Sequence, residues 1–392
     1  MSEPLRSKIR LRRLTGNLLL SALTLLIILT IIEFTLDRTH WLGARRTFTR
    51  PDPLLRYRFQ PEAEYWFWEE NDHPITGRIN SWGWRDRPRD LHKPANVYRV
   101  AVLGDSYVEA FQVESDSTFA LLAEDELNRR ADGQGSTTRF EILNFGRSGF
   151  TQSEEWLVLL HDAGRFNPDL VLLFFYPGND IRDIHPETSD APRPYFSVNP
   201  DGELILDVSF RRSRNYRLRS FLNPLQRHSA LVSLLVKRLV TSRQSARMLE
   251  KAVESTSAVD TIAGYRSLQT QHPDPRYQRN YAINKRLIQR MAEYCRSQGM
   301  QLLVVCMPES YQEKTQERLK RIDASFEPGF FAADIESLAS ALRVGSLSLQ
   351  NAFEAAAGKG ETLQWVHWNY RGHALVAAQV VAALSSLHAL EP

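Results

Sequence analysis

The chain has 392 residues, 43% of them apolar and 24% charged, a composition that excludes wholesale disorder and suits one large domain or two ordinary ones. Its formal charge of +3 is too weak a bias on this length to favour nucleic acid as a partner. The two cysteines, Cys295 and Cys306, make neither a disulfide framework nor a zinc-ligand spacing and leave the redox compartment open.

In chain order, a basic N-terminus (1–13) with Arg6, Lys8, Arg10, Arg12 and Arg13 comes first. From Leu14 to Ile32 the chain carries no charge and reads LTGNLLLSALTLLIILTII, nearly long enough as a helix of about 1.5 Å rise per residue to span a hydrocarbon core of about 30 Å. The preceding positive flank is the kind that stays cytoplasmic. A cleaved signal peptide is the rival reading, but the segment is long for one and ends IIEFTLD without a small-residue cleavage site. The expectation is an uncleaved transmembrane anchor over 14–36, with the C-terminal part outside the cytoplasm, periplasmic or extracellular.

Residues 37–97 are rich in Arg, Pro and aromatics without a sustained period, and hold Trp66, Trp68, Trp82 and Trp84. Such a cluster either stacks on sugar rings or packs an extension against the next domain, and packing is the expectation. From residue 98 apolar runs alternate with helical periodicity, the pattern of βαβ units around a parallel sheet. Strands are expected at Tyr98–Leu103, Phe140–Phe145, Asp169–Tyr176 and Met300–Met307. Helices are expected at Ser117–Arg130, Ser153–Arg165, Tyr277–Gln298 and Gly372–Leu387. A stretch of about 185–275 lacks the alternation and reads as an insertion. Within it, LVSLLVKRLVTSRQSARMLEKAV (231–253) is a basic amphipathic segment, suited either to a membrane surface or to covering the sheet with a solvated face, the second being expected.

In an open parallel sheet, functional groups gather past the C-terminal ends of the strands. Ser106 follows VAVLGD, Gly149 lies in the exit after EILNF, and Asn179 follows LLFFYPG. Each alone is explained as well by a helix cap, a positive φ or a turn. Together with WVHWNYRGH, where His367 and His373 precede or open the last helix, they supply what acyl transfer needs. Ser106 is the candidate nucleophile and a histidine the base. The N–H groups of Ser106 and Gly149 and the amide of Asn179 are candidate oxyanion donors.

Over roughly 78–388 the sequence resembles the SGNH (GDSL-type) hydrolases. GDSYVEAFQV, NFGRSGFTQ, YPGNDIRD and HWNYRGH are similar to that family's four blocks, and INSWGWRD is similar to the segment that precedes the serine block in membrane-anchored bacterial members. The resemblance implies a flavodoxin-like three-layer α/β/α fold with a parallel sheet over 98–390. It implies Ser106 as nucleophile, Gly149 and Asn179 as oxyanion donors, His367 as general base, His373 in a structural role, and no metal or organic cofactor. One position departs: the family's acid before the catalytic His is replaced by Gln364 and Trp365. Losing that acid from a Ser-His-Asp system costs about 10⁴ in kcat. Three readings stand open: a carboxylate from elsewhere, with Glu361 or Asp183 as candidates; a Ser-His dyad oriented by Gln364 or a backbone carbonyl; or a degenerate domain serving as a glycan-binding or assembly module. The leading reading is a membrane-anchored serine esterase or O-acyltransferase acting on acyl, especially acetyl, esters of a cell-surface carbohydrate or lipid.

Overall fold

The computed structural model describes residues 3–41, 45–189, 191–239, 269–270, 274–308 and 312–387. The chain divides into two compact units, one of Met1–Thr49 with Arg217–Thr256 and a larger one of Arg50–Tyr216 with Ser257–Pro392.

Helix α1 (Glu3–Thr39) comes first, and its stretch from Arg12 to Thr39 is long and apolar enough to cross a membrane. Two short hairpins follow, β1 (Thr49–Asp52) with β2 (Arg56–Phe59) and β3 (Glu64–Phe67) with β4 (Ile75–Arg78). The alternating part runs through β5 (Val97–Leu103), α2 (Ser106–Glu109), α3 (Phe119–Gly133), β6 (Arg139–Asn144), α4 (Gln152–His161), β7 (Leu170–Phe175) and α5 (Pro177–Asp183). Then come the hairpin β8 (Tyr195–Val198) and β9 (Leu204–Asp207), α6 (Arg214–His228) and a helix α7 over 230–239. The described chain closes with α8 (Pro275–Ser297), β10 (Gln301–Cys306), α9 (Glu313–Ile322), α10 (Phe330–Leu342), β11 (Gly345–Ser348), α11 (Gln350–Gly358) and α12 (Tyr370–Ser386).

Five strands pair in parallel in the order β11-β10-β7-β5-β6. Counted from β5, that is 2-1-3-4-5, the flavodoxin-like winding, whose switch point lies beside its first strand. Period-2 alternation sends successive side chains to opposite faces. Val100, Val102, Ile142, Leu172 and Val305 meet α3, α11 and α12, whereas Ala101, Leu103, Leu143, Leu173 and Val304 meet α4, α8 and α10. Both faces are therefore covered by helices, which is why the strands read as continuous apolar runs.

Two element boundaries differ from expectation for local reasons. The helix expected from Ser117 starts at Phe119, because Ser115–Ser117 form a 3₁₀ turn and Thr118 is extended (φ −71°, ψ 147°). The helix expected over 153–165 stops at His161 and gives way to a 3₁₀ turn ending at Asn167, whose φ is +48°. Residues 37–97, expected as an aromatic-rich extension packing on the next domain, include the two hairpins over Thr49–Phe59 and Glu64–Arg78. Their aromatic residues divide between burial and exposure: Trp84 packs edge-on against Phe145, while Trp68 is exposed. Of the amphipathic segment 231–253, residues 240–253 lie outside the described residues. Cys295 and Cys306 are free and buried.

Candidate active site

Ser106 opens α2 directly after β5, at the switch point of the sheet. Asp105 caps this short helix by accepting from the Tyr107 N–H at 3.0 Å. Burial pushes the Asp105 carboxyl up to about 6 against the lowering pull of that bond, the His367 charge and the Asn179 amide.

His367 reaches Ser106 from the loop before α12. Three local features hold it there. Trp368 is fully buried among Tyr107, Phe119, Phe174 and Phe353. Asn369 caps α12 by accepting from the N–H groups of Arg371 and Gly372. Gly372 is a close-approach position, since a Cβ there would sit 2.9 Å from that of Trp368. The result is a His367 Nε2 to Ser106 Oγ distance of 2.7 Å, with the Tyr107 ring packed edge-on against the imidazole at 4.8 Å.

The other ring nitrogen, Nδ1, lies 2.5 Å from Oε1 of Glu70, whose second oxygen accepts from the His367 N–H at 2.8 Å. Neither Glu361 nor Asp183 is the acid at this position: Glu361 is exposed beyond α11, and Asp183 pairs with its neighbour Arg182 at 2.8 Å. Gln364 is not the partner either; its backbone bridges to Trp368. Glu70 stands in the turn between β3 and β4, on the hairpin whose register pairs Phe67 with Ile75. Sequence reasoning missed it because no family block covers that turn, and EYWFWEEND offers four acids, Glu64, Glu69, Glu70 and Asp72, with nothing to single out the third.

The hairpin is held down from below and from the side. Tyr65, Phe67 and Phe59 pack on Phe111 at centroid distances of 4.8, 5.6 and 5.5 Å. The buried Arg85 donates to the Tyr65 hydroxyl and to the carbonyls of Glu109 and Val113. Beside Glu70, Asn71 Nδ2 donates to the Gln112 carbonyl and to the Tyr370 hydroxyl, which in turn donates to Glu114 at 2.6 Å. His73 Nε2 lies 2.9 Å from the same Glu114.

Electrostatics run in one direction along this chain of groups. Burial penalises the Glu70 charge, but the His367 ring and backbone N–H groups outweigh it and hold the carboxyl below its ordinary value. Burial likewise pulls His367 down, while the hydrogen bond and charge of Glu70 more than compensate and leave it raised above 6.5. His373 is different in kind. It is wholly buried, accepts from the Phe119 N–H at 3.2 Å, and burial drives it down to about 3, so it stays neutral within the core.

Gly149 and Asn179 stand at the exits of β6 and β7. Gly149 has φ +70°, a conformation that favours glycine, and its carbonyl accepts from the buried Arg193 at 2.6 Å. Asn179 Nδ2 donates to the Phe150 carbonyl at 3.1 Å. A groove of about 660 Å³ adjoins the Glu70 side, lined by Glu70, Asn71, Asp72, His73, Trp365 and Tyr370. Among the described residues no cluster of three or more His, Cys, Asp or Glu is arranged to hold a metal ion.

No family model and no curated protein matches the chain. Solved structures do match over about three quarters of it. An acetyl xylan esterase is 14% identical, covering 73% of this chain and 99% of its own, with a TM-score of 0.38. An α/β hydrolase enzyme from the metagenome of Lake Arreo, Spain, is 12% identical over 77% and 99%, at 0.39. The lipase/acylhydrolase from Enterococcus faecalis is 12% identical over 74% and 96%, at 0.37. Identities and scores this low say what the chain is similar to and carry no function across.

Proposed function

We propose that the chain is a serine ester hydrolase or O-acyltransferase of the SGNH type, anchored in a membrane by α1 and working on acyl esters of a cell-surface glycan or lipid. The observation that carries the reading is the continuous relay from Ser106 Oγ through both nitrogens of His367 to Glu70. In the acylation step Ser106 Oγ attacks the ester carbonyl as His367 Nε2 takes its proton. Glu70 holds the imidazole in the Nδ1–H tautomer and stabilises the imidazolium that forms. The oxygen that becomes negative is received by the N–H groups of Ser106 and Gly149 and by the Asn179 amide. His367 then protonates the leaving alcohol. Water or a second hydroxyl repeats the sequence in reverse on the Ser106 ester, giving hydrolysis or transfer.

Glu70 beside His367 supports turnover over the degenerate-module reading, which the missing acid at Gln364 and Trp365 and the aromatic cluster before the domain had motivated. The glycan class is supported by the adjoining groove, where Trp365 is 39% exposed and stands edge-on to Tyr370 at 5.8 Å among polar side chains. An aromatic face flanked by hydrogen-bonding groups suits a sugar ring. The membrane part is supported by the length and apolarity of Arg12–Thr39 and by the basic residues before it.

The test is stoichiometric labelling of the full chain by a fluorophosphonate probe, with Ser106→Ala alongside. Labelling of the wild type alone is expected. An unlabelled wild type that binds acylated polysaccharide would return the protein to the binding-module class.

A further inference from the structure

Within the smaller unit, the end of α1 is bonded to the start of α7. The Glu33 carboxylate accepts from Ser229 Oγ at 2.7 Å and from the N–H groups of Ala230 and Leu231 at 2.7 and 3.0 Å. A carboxylate at a helix N-terminus meets unsatisfied donors and the positive end of the helix dipole. Leu36 is buried beside it against Ala230, Leu231 and Leu234. The chain just past α1 is tied to α6 as well, through Asn223 Nδ2 on the Thr49 carbonyl and the Thr47 N–H on the Gln226 carbonyl. Whatever surface α1 emerges from therefore lies beside α6 and α7.

Both helices turn apolar side chains outward. On α6 the exposed residues are Leu218, Phe221 and Leu225, with Phe221 at 75% exposure; on α7 they are Leu235 and Leu239. At 3.6 residues per turn the three on α6 fall within an arc of about 60°. A large exposed apolar stripe on a soluble face marks an interaction site. Arg217 and Arg219 flank it on α6, and Lys237 and Arg238 stand between the two leucines of α7, all of them exposed. This is the composition of an interfacial helix, apolar side chains below the headgroups and long basic side chains reaching back to them.

We propose that α6 and α7 lie on the bilayer that α1 crosses, with Leu218, Phe221, Leu225, Leu235 and Leu239 sunk beneath anionic lipid headgroups and the flanking Arg and Lys residues pairing with them. The proposal rests on the membrane-anchor reading and not on the chemistry at Ser106. The spanning helix is what commits the surface to lipid, because it delivers these stripes to the bilayer boundary. Anionic headgroups complement the charge of their edges.

The experiment is nitroxide labelling of the full chain in vesicles of phosphatidylcholine with phosphatidylglycerol. Cys295 and Cys306 are buried, so labels report Phe221→Cys, Leu225→Cys and Leu235→Cys, with Leu23→Cys in the span and the exposed Arg129→Cys on α3 as references. The expected result is an oxygen-to-nickel-chelate collision ratio at positions 221, 225 and 235 at least about threefold above that at 129. Omitting phosphatidylglycerol, or combining Arg217→Gln with Arg219→Gln, lowers the ratio at 221. Ratios equal to that at 129 beside a high ratio at 23 would overturn the surface proposal alone. A low ratio at 23 would remove the anchor and the proposal with it. Labels shielded from both reagents, or broadened by spin–spin coupling, would assign the stripes to a protein cover or a second copy and overturn the lipid assignment.

Discussion

The two regions that meet at His367 are built on different principles. Ser106 and His367 hang from the core: one follows β5 directly, the other stands beside the buried Trp368 at the mouth of α12, and both positions are set by helices packed on the sheet. Glu70 comes from a four-residue-per-strand hairpin outside the sheet, seated on Phe111 and tied laterally by exposed polar bonds among Asn71, His73, Glu114 and Tyr370. Ser106 and His367 are thus as rigid as the fold, whereas Glu70 is as rigid as its hairpin. A relay assembled this way separates the folding of the domain from the tuning of the imidazole in the proposed mechanism.

That contrast can be broken at several points. Ser106→Ala should remove the covalent step, leaving fluorophosphonate labelling absent and ester turnover down by about 10⁴ or more, read by kcat on an acetyl ester. Glu70→Gln keeps the shape but not the charge, and kcat should fall by about 10³–10⁴ with the melting temperature little changed. A drop comparable to that of Phe111→Ala in stability would mean the hairpin is structural first. Phe111→Ala opens the floor of the hairpin and should cost about 3–5 kcal/mol in thermal or denaturant unfolding, with activity lost in parallel.

Smaller effects sharpen the same comparison. Turnover needs neutral His367, and Glu70 raises its pKa above 6.5. kcat/KM should therefore rise with pH through a limb above 6.5, and Glu70→Gln should shift that limb to lower pH. Stability has the opposite sign over this range: the His367–Glu70 pair contributes fully between about 4.5 and 6.5, the unfolded values of the two groups, and the contribution is lost as pH rises through the raised folded value of His367 or falls through the lowered folded value of Glu70. An unshifted limb in the Glu70 variant would detach the carboxylate from the base. Smallest of all, Tyr370→Phe removes the hydroxyl that bridges Asn71 and Glu114 and should lower kcat only about two- to tenfold, the worth of one net hydrogen bond.

Much of this molecule is legible along the chain because its signals are local. Apolar runs of six or seven residues that alternate between two buried faces announce β5, β6, β7 and β10 within a residue or two of where they lie, and Gly149 declares a positive φ by residue type. The exits after those strands could be picked out as the place for chemistry because a parallel sheet directs its strand ends there. Tertiary structure alone decided which carboxylate faces His367. Glu70 lies 297 residues away in sequence, in a turn whose own pattern is indifferent to which of its acids points inward. Only the packing of the hairpin on Phe111 and Arg85 sets that direction. The outward stripe of α7 belongs to the same class: the amphipathic spacing from Leu231 can be read in the chain, but whether it faces the sheet or solvent depends on what the fold places against it, and the bonds from Glu33 are what put the start of α7 beside the end of α1.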